Sequence, residues 1–330
     1  MRATVALLLL AIVVRSTPGT RTQGTSGTRG TFVLQNNFWV NLHHVLRSES
    51  RRREVRARLK VKPDDLSSAE RVTWSAALDA YRGHAEASLL FDATLVRISN
   101  ALTRIPSEAP LPASLDGVDA RTLRALAAAA PVYRAHYWAA QRELNDRWIA
   151  ALRPALEAHG DAMIAAIEGA YAVRWPPDPI VVDACAEAPP TGGYTTDGPV
   201  GTAAHTVIEA ANPEYQGDMA FEMLFHEASH AAAIGGPLIA AINASAARGG
   251  VAAPVDLWHV VIFYTAGELA RRLLGKAGEA RYLPYAYRYH VYSRGWQTLR
   301  DAAVRQWQPH LDGKTAFADA VDALVADATR

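Results

Sequence analysis

Apolar residues recur at helical spacing along most of this 330-residue chain and give way to strand-like runs only briefly. Between Asn36 and Arg47 a stripe is formed by Phe38, Trp39, Leu42, Val45 and Leu46. Helical patterns continue over 67–103. Past a loop marked by Pro106, Pro110 and Pro112 they resume from a cap at Asp119, with an interruption near Pro131. Further helices are expected up to His159 and from Asp161 to Val173. The period changes at Trp175-Pro176-Pro177. Residues 180–182 and 204–209 read as strands, with a turn or hairpin over 192–198. The expected fold class is therefore α+β and predominantly α-helical: a helical region over 32–175, then a region over 176–330 that holds a small sheet.

The stretch from Gly217 to Pro237 reads as one further helix, with Asp218 as N-cap and Gly235-Gly236-Pro237 as the stop. At about 100° per residue, Phe221, Leu224, Phe225, Ala228, Ala231 and Ala232 share one side, and Met219, His226 and His230 share the other. The second side spells H-E-x-x-H, from His226 to His230. Two imidazoles four residues apart on one helical face can hold a single Zn²⁺, and Glu227 between them is placed to take a proton from a water that the metal activates. One zinc per chain is expected.

A catalytic zinc takes three protein ligands and keeps one position for water. Six residues after His230, where one peptidase pattern has a third His, stands Gly236. Downstream carboxylates are Asp256 and Glu268. The second lies on a helix expected between Pro254 and Gly275, opposite an apolar side of Ile262, Phe263, Ala266, Leu269, Ala270 and Leu273. His259 falls toward that apolar side and reads as a structural histidine. H-E-x-x-H followed by a Glu on a second helix resembles the gluzincin branch of the zincin-type zinc metallopeptidases. The resemblance covers His226 to Glu268 and the helical segment after it. It implies His226, His230 and Glu268 as metal ligands and Glu227 as general base. It also implies a sheet whose edge strand pairs with an extended peptide. Two departures stand out: the gap before the Glu is long, and no acidic residue follows it by a few positions, where Ala270, Arg271 and Arg272 stand, so Glu222, Asp256 or Glu279 would have to orient a ligand. Tyr289 and His290, in a tyrosine-rich stretch, are the candidates to steady an oxyanion, with Tyr285 and Tyr264 as further options.

Composition narrows the picture. Half the residues are hydrophobic and the net charge is +1, which gives no electrostatic case for nucleic acid. Cys185 is the only cysteine, so no intrachain disulfide forms. Arg2, the apolar run Ala3–Val14 and the polar break after it have signal-peptide architecture. Residues 1–19 are expected to be removed and 20–31 to form a flexible leader, with no stable membrane insertion afterwards. Together these features point to a secreted or periplasmic zinc metallopeptidase acting on peptide or protein substrates. The alternative is a non-catalytic secreted zinc-binding or helical binding protein.

Overall fold

A computed structural model describes residues 32–52, 65–82, 92–188, 192–275 and 282–330. The expected signal peptide and leader, and Glu279, lie outside the described residues. The chain opens with strand β1 (Phe32–Gln35) and helices α1 (Phe38–Arg52), α2 (Ser68–Tyr81), α3 (Ala93–Leu102), α4 (Ala120–Tyr133) and α5 (Ala139–Tyr171). Strands β2 (Ile180–Cys185), β3 (Gly193–Thr196) and β4 (Ala204–Glu209) follow. Then come α6 (Asp218–Ala228), α7 (Ala232–Arg248) and α8 (Leu257–Leu274), and the chain closes with α9 (Tyr285–Arg288), α10 (Gln297–Ala302), α11 (Gln308–Leu311) and α12 (Phe317–Ala328). The fold is α+β and predominantly helical, as the periodicity predicts.

Local signals explain the starts of the first helices. Ser67 and Glu70 form a reciprocal capping box at α2, and the carboxylates of Asp92 and Asp119 accept the first free N–H groups of α3 and α4. Pro131 does not interrupt α4. A π-helical turn over Arg134–Trp138 absorbs the irregularity and leads straight into α5, which runs unbroken through Gly160.

The sheet has the order β1-β2-β4-β3. The first two pairings are parallel and β3 runs antiparallel along β4, at the edge. The periodicity predicts helix from Phe32 onward, where β1 stands. Its four residues instead pair in register with β2, Phe32 opposite Ile180, because Phe32 packs edge-on against Trp175 and Phe225. Alternation along the strands splits the interior in two. Ile180, Val182, Ala184, Ala204 and Ile208 face α5, α6 and α8. Cys185, Tyr194 and Val207 face α1–α4. The sheet is thus covered by helices on both faces, and the N-terminal helices share it with the C-terminal ones.

The face toward α1–α4 carries a buried polar network. Asp183 Oδ2 accepts from His205 Nε2 (2.8 Å), Thr103 Oγ1 (2.6 Å) and Gln35 Nε2 (3.2 Å). His43 meets the Tyr81 hydroxyl at 2.9 Å and His44 meets that of Tyr194 at 3.2 Å. Those two histidines serve this packing and stand apart from the H-E-x-x-H motif. Among the described residues no single helix is long and apolar enough to cross a membrane.

Candidate metal centre

α6 is buried along its length after Asp218, so its polar residues Glu222, His226 and Glu227 sit in the interior. The sequence predicts one helix through Pro237, but the helix stops at Ala228. His230 and Ala231 bond back three residues, to the carbonyls of Glu227 and Ala228, and the Ser229 hydroxyl occupies the Phe225 carbonyl at 2.8 Å. The chain then leaves along α7, bent 67° from α6. Gly235-Gly236-Pro237 therefore lies near the start of a new helix, and a side chain at Gly235 would collide with the Ser229 carbonyl oxygen. Gly217, with φ 55°, precedes α6 in the capping position, and Asp218 is its first residue.

The tightened turn keeps His230 beside His226: their Nε2 atoms are 3.2 Å apart. α8 delivers the third member. The His259 ring lies 5.4 Å from that of His226 and 4.9 Å from that of His230, centroid to centroid. One nitrogen from each of the three falls within 4.8 Å of the others. His226 is buried, and His230 and His259 are half-buried, which leaves the cluster open on one side. Aromatic rings frame it. Phe263, one turn after His259, stacks on His226 at 3.8 Å. Trp258 stacks on His259 at 5.0 Å, and Trp296 lies 5.3 Å from His259 while its indole N–H donates to Asp256.

The electrostatics suit a cation. Burial, together with His230 and His259, holds His226 well below the ordinary imidazole range. Burial, and then His259, takes His230 down to about 3, and burial takes His259 to about 4 against the opposing pull of Asp256. Burial thus favours the uncharged form of all three imidazoles, which bring one nitrogen each to within 4.8 Å of the others. That is a donor set a zinc ion takes, and imidazole nitrogens at three positions would leave a fourth for water.

Glu227 lies against the sheet edge. A side chain at Gly193 would come within 2.9 Å of Glu227 Oε1, so the carboxylate rests on bare β3 backbone. The Thr195 hydroxyl donates to Glu227 Oε2 at 3.4 Å and is itself bonded to Thr206. Burial raises the Glu227 carboxyl to about 8, with Thr195 pulling in the opposite direction. Tyr215, from the loop between β4 and α6, lies near enough for Glu227 to help push its phenol upward after burial has done so. Its ring is 5.5 Å from that of Tyr285, whose hydroxyl donates to Glu214 at 2.7 Å.

The remaining expected site residues are placed as follows. Glu268 is not in the cluster. Its carboxylate is gripped by Arg271, at 3.1 and 3.0 Å through Nε and 2.5 Å through a terminal nitrogen. Tyr289 packs 4.8 Å from Tyr285 on the same aromatic wall. His290 is exposed in a left-handed conformation, with φ 54°. Tyr264 donates to Gln308, away from the cluster. Sequence reasoning passed over His259, Gly193, Thr195, Tyr215 and Phe263. The apolar side of α8 reads as core, yet the structure brings His259 and Phe263 on that side beside His226. The signal that could have singled out His259 is a further His downstream of the motif, 29 positions after His230. A comparison with protein-family models finds no match to this chain, and neither curated proteins nor solved structures yield a similar one.

Proposed function

We propose that this chain is a zinc-dependent hydrolase of peptide bonds, with the metal held by His226, His230 and His259. The convergence of three neutral imidazoles beside a buried carboxylate, Glu227, carries this reading. Bound zinc supplies Lewis acidity, which lowers the pKa of a water and polarises a carbonyl. Everything else falls to the chain. Glu227 is the base that receives the proton of the attacking water and returns it to the leaving amine. Its raised pKa suits both halves of that task near neutral pH. Gly193 and Thr195 hold its carboxylate at the edge strand. The rings of Tyr215 and Tyr285 stand together near this carboxylate, with the Tyr285 hydroxyl donating to Glu214.

The proposed ligand set keeps the H-E-x-x-H arrangement of the zincins and replaces the Glu of the gluzincin pattern by His259. Export, expected from residues 1–19, remains part of the proposal. The test is Glu227→Gln. The expected result is one zinc per chain, as in the unaltered protein, with turnover of a peptide mixture reduced by about 10²- to 10⁴-fold. Full activity in that variant would overturn the assignment of the base. Zinc bound by a chain that never hydrolyses peptides would leave the non-catalytic zinc-binding reading.

A further inference from the structure

Glu222 lies on α6 one turn before His226 and is fully buried. Among the described residues no Lys or Arg forms an ion pair with it. A carboxylate in such a place is costly, and an apolar residue of similar size would pack there at lower cost. What it gains is two donors from one short segment. The Tyr282 hydroxyl donates to Oε2 at 2.6 Å, and the Tyr285 N–H lies 3.0 Å from Oε1 and 2.9 Å from Oε2. Between them Pro284 lies flat on α8, where a side chain at Gly267 would meet the Pro284 Cβ at 2.7 Å and Glu222 at 3.2 Å. The segment is thus held from two helices. Its end, Tyr285, continues the wall of the site: the ring is parallel to Phe263 at 6.2 Å, and the phenol donates to Glu214 beside Tyr215.

We propose that Glu222 is a positioning residue: its buried carboxylate latches the 282–285 segment onto the helix that carries His226 and Glu227, and so sets where the Tyr285 phenol stands in the site. Burial raises the Glu222 carboxyl to about 7, against the hydrogen bonds from Tyr282 and Tyr285. The group therefore keeps acceptor capacity in either protonation state, because a neutral carboxyl still offers an oxygen to the Tyr285 N–H. The kinetic consequence rests on the hydrolase reading above, while the structural latch does not.

The experiment uses the full chain as Glu222→Ala, Glu222→Gln, Tyr285→Phe and the double variant Glu222→Ala/Tyr285→Phe. Each is read by amide hydrogen exchange at Tyr285, by zinc content, and by turnover of a casein digest. In Glu222→Ala the Tyr285 amide is expected to exchange about 100-fold faster, while zinc stays at one per chain. Glu222→Gln keeps one oxygen acceptor and guards against misfolding of the alanine variant, with an increase of about tenfold or less expected. Turnover in the double variant should equal that of the more impaired single variant, since both act through one phenol. Unchanged exchange at Tyr285, or penalties that simply add, would overturn the proposal. If the unaltered chain hydrolyses nothing, the hydrolase reading fails and the exchange measurement alone decides the latch.

Discussion

The rings of His226 and Phe263 lie face to face, 3.8 Å between centroids and 29° between planes. A metal-binding histidine ordinarily has its second nitrogen tied to a carbonyl or carboxylate, which fixes the ring. His226 Nδ1 is buried and has no hydrogen-bond partner among the described residues. The stack with Phe263 holds the ring instead. Phe263→Leu, which keeps the volume roughly but loses the flat surface, is therefore expected to weaken zinc binding by about tenfold. Competition with a chromophoric chelator checks this, and unchanged affinity would show that the ring is held by something else.

The third ligand is tested by a pair of substitutions. His259→Ala is expected to lower zinc affinity by about 100-fold or more, since a metal held by three ligands loses one. Glu268→Ala is expected to leave zinc binding intact and to release Arg271 from its carboxylate. The opposite pattern in elemental analysis after dialysis would return the gluzincin ligand set to the chain.

Gly193→Ala examines the contact between the sheet edge and the base. The added methyl would sit 2.9 Å from Glu227 Oε1 and 3.2 Å from its Cδ, so the carboxylate must move. Displacing a base by a few tenths of an ångström to an ångström costs about 10- to 100-fold in kcat. Zinc content is expected to hold at one per chain. A variant with full kcat would show that Glu227 adjusts without penalty.

Stability of the metal-free protein should depend on pH through Glu222. Its carboxyl rises from 4.5 to about 7 on folding, because burial disfavours the charge. A raised folded pKa contributes stability that is fully present below 4.5 and is lost as pH climbs through 7. Glu222→Gln cannot ionise and lacks that loss. Between pH 4.5 and pH 8 the stability difference should therefore shift in favour of the variant by about 3 kcal/mol, to order of magnitude. Urea unfolding at the two pH values measures it, and a difference that does not change with pH would contradict the raised pKa.

Helices, strands and the H-E-x-x-H face could be read from the chain because each depends on neighbours in sequence. The spacing of Phe221, Leu224, Phe225 and Ala228 places the imidazoles opposite the packing stripe whatever lies around them. β4 forms over the range its pattern predicts, and Gly275 ends α8 at a point where a side chain would meet the Arg271 carbonyl oxygen at 2.7 Å. β1 escaped notice because four residues carry too little pattern to oppose the helical run beside them. The break after Ala228 escaped because Gly and Pro are ambiguous: the same three residues mark a stop in one chain and the first turns of a new helix in another.

The sequence by itself determined that this protein is a mainly helical α+β chain with two histidines and a glutamate on one turn, since these are properties of local spacing. Tertiary structure alone decided which residue joins them. On a helix buried on all sides, apolarity no longer distinguishes core from site, so His259 and Phe263 face the motif while Glu268 turns to Arg271. Packing of α8 against α6 chose between them, and the contact of the β3 edge with Glu227 was likewise set by the way sheet and helix meet. Such choices depend on the distance and angle between whole elements, quantities that local spacing along a chain does not carry.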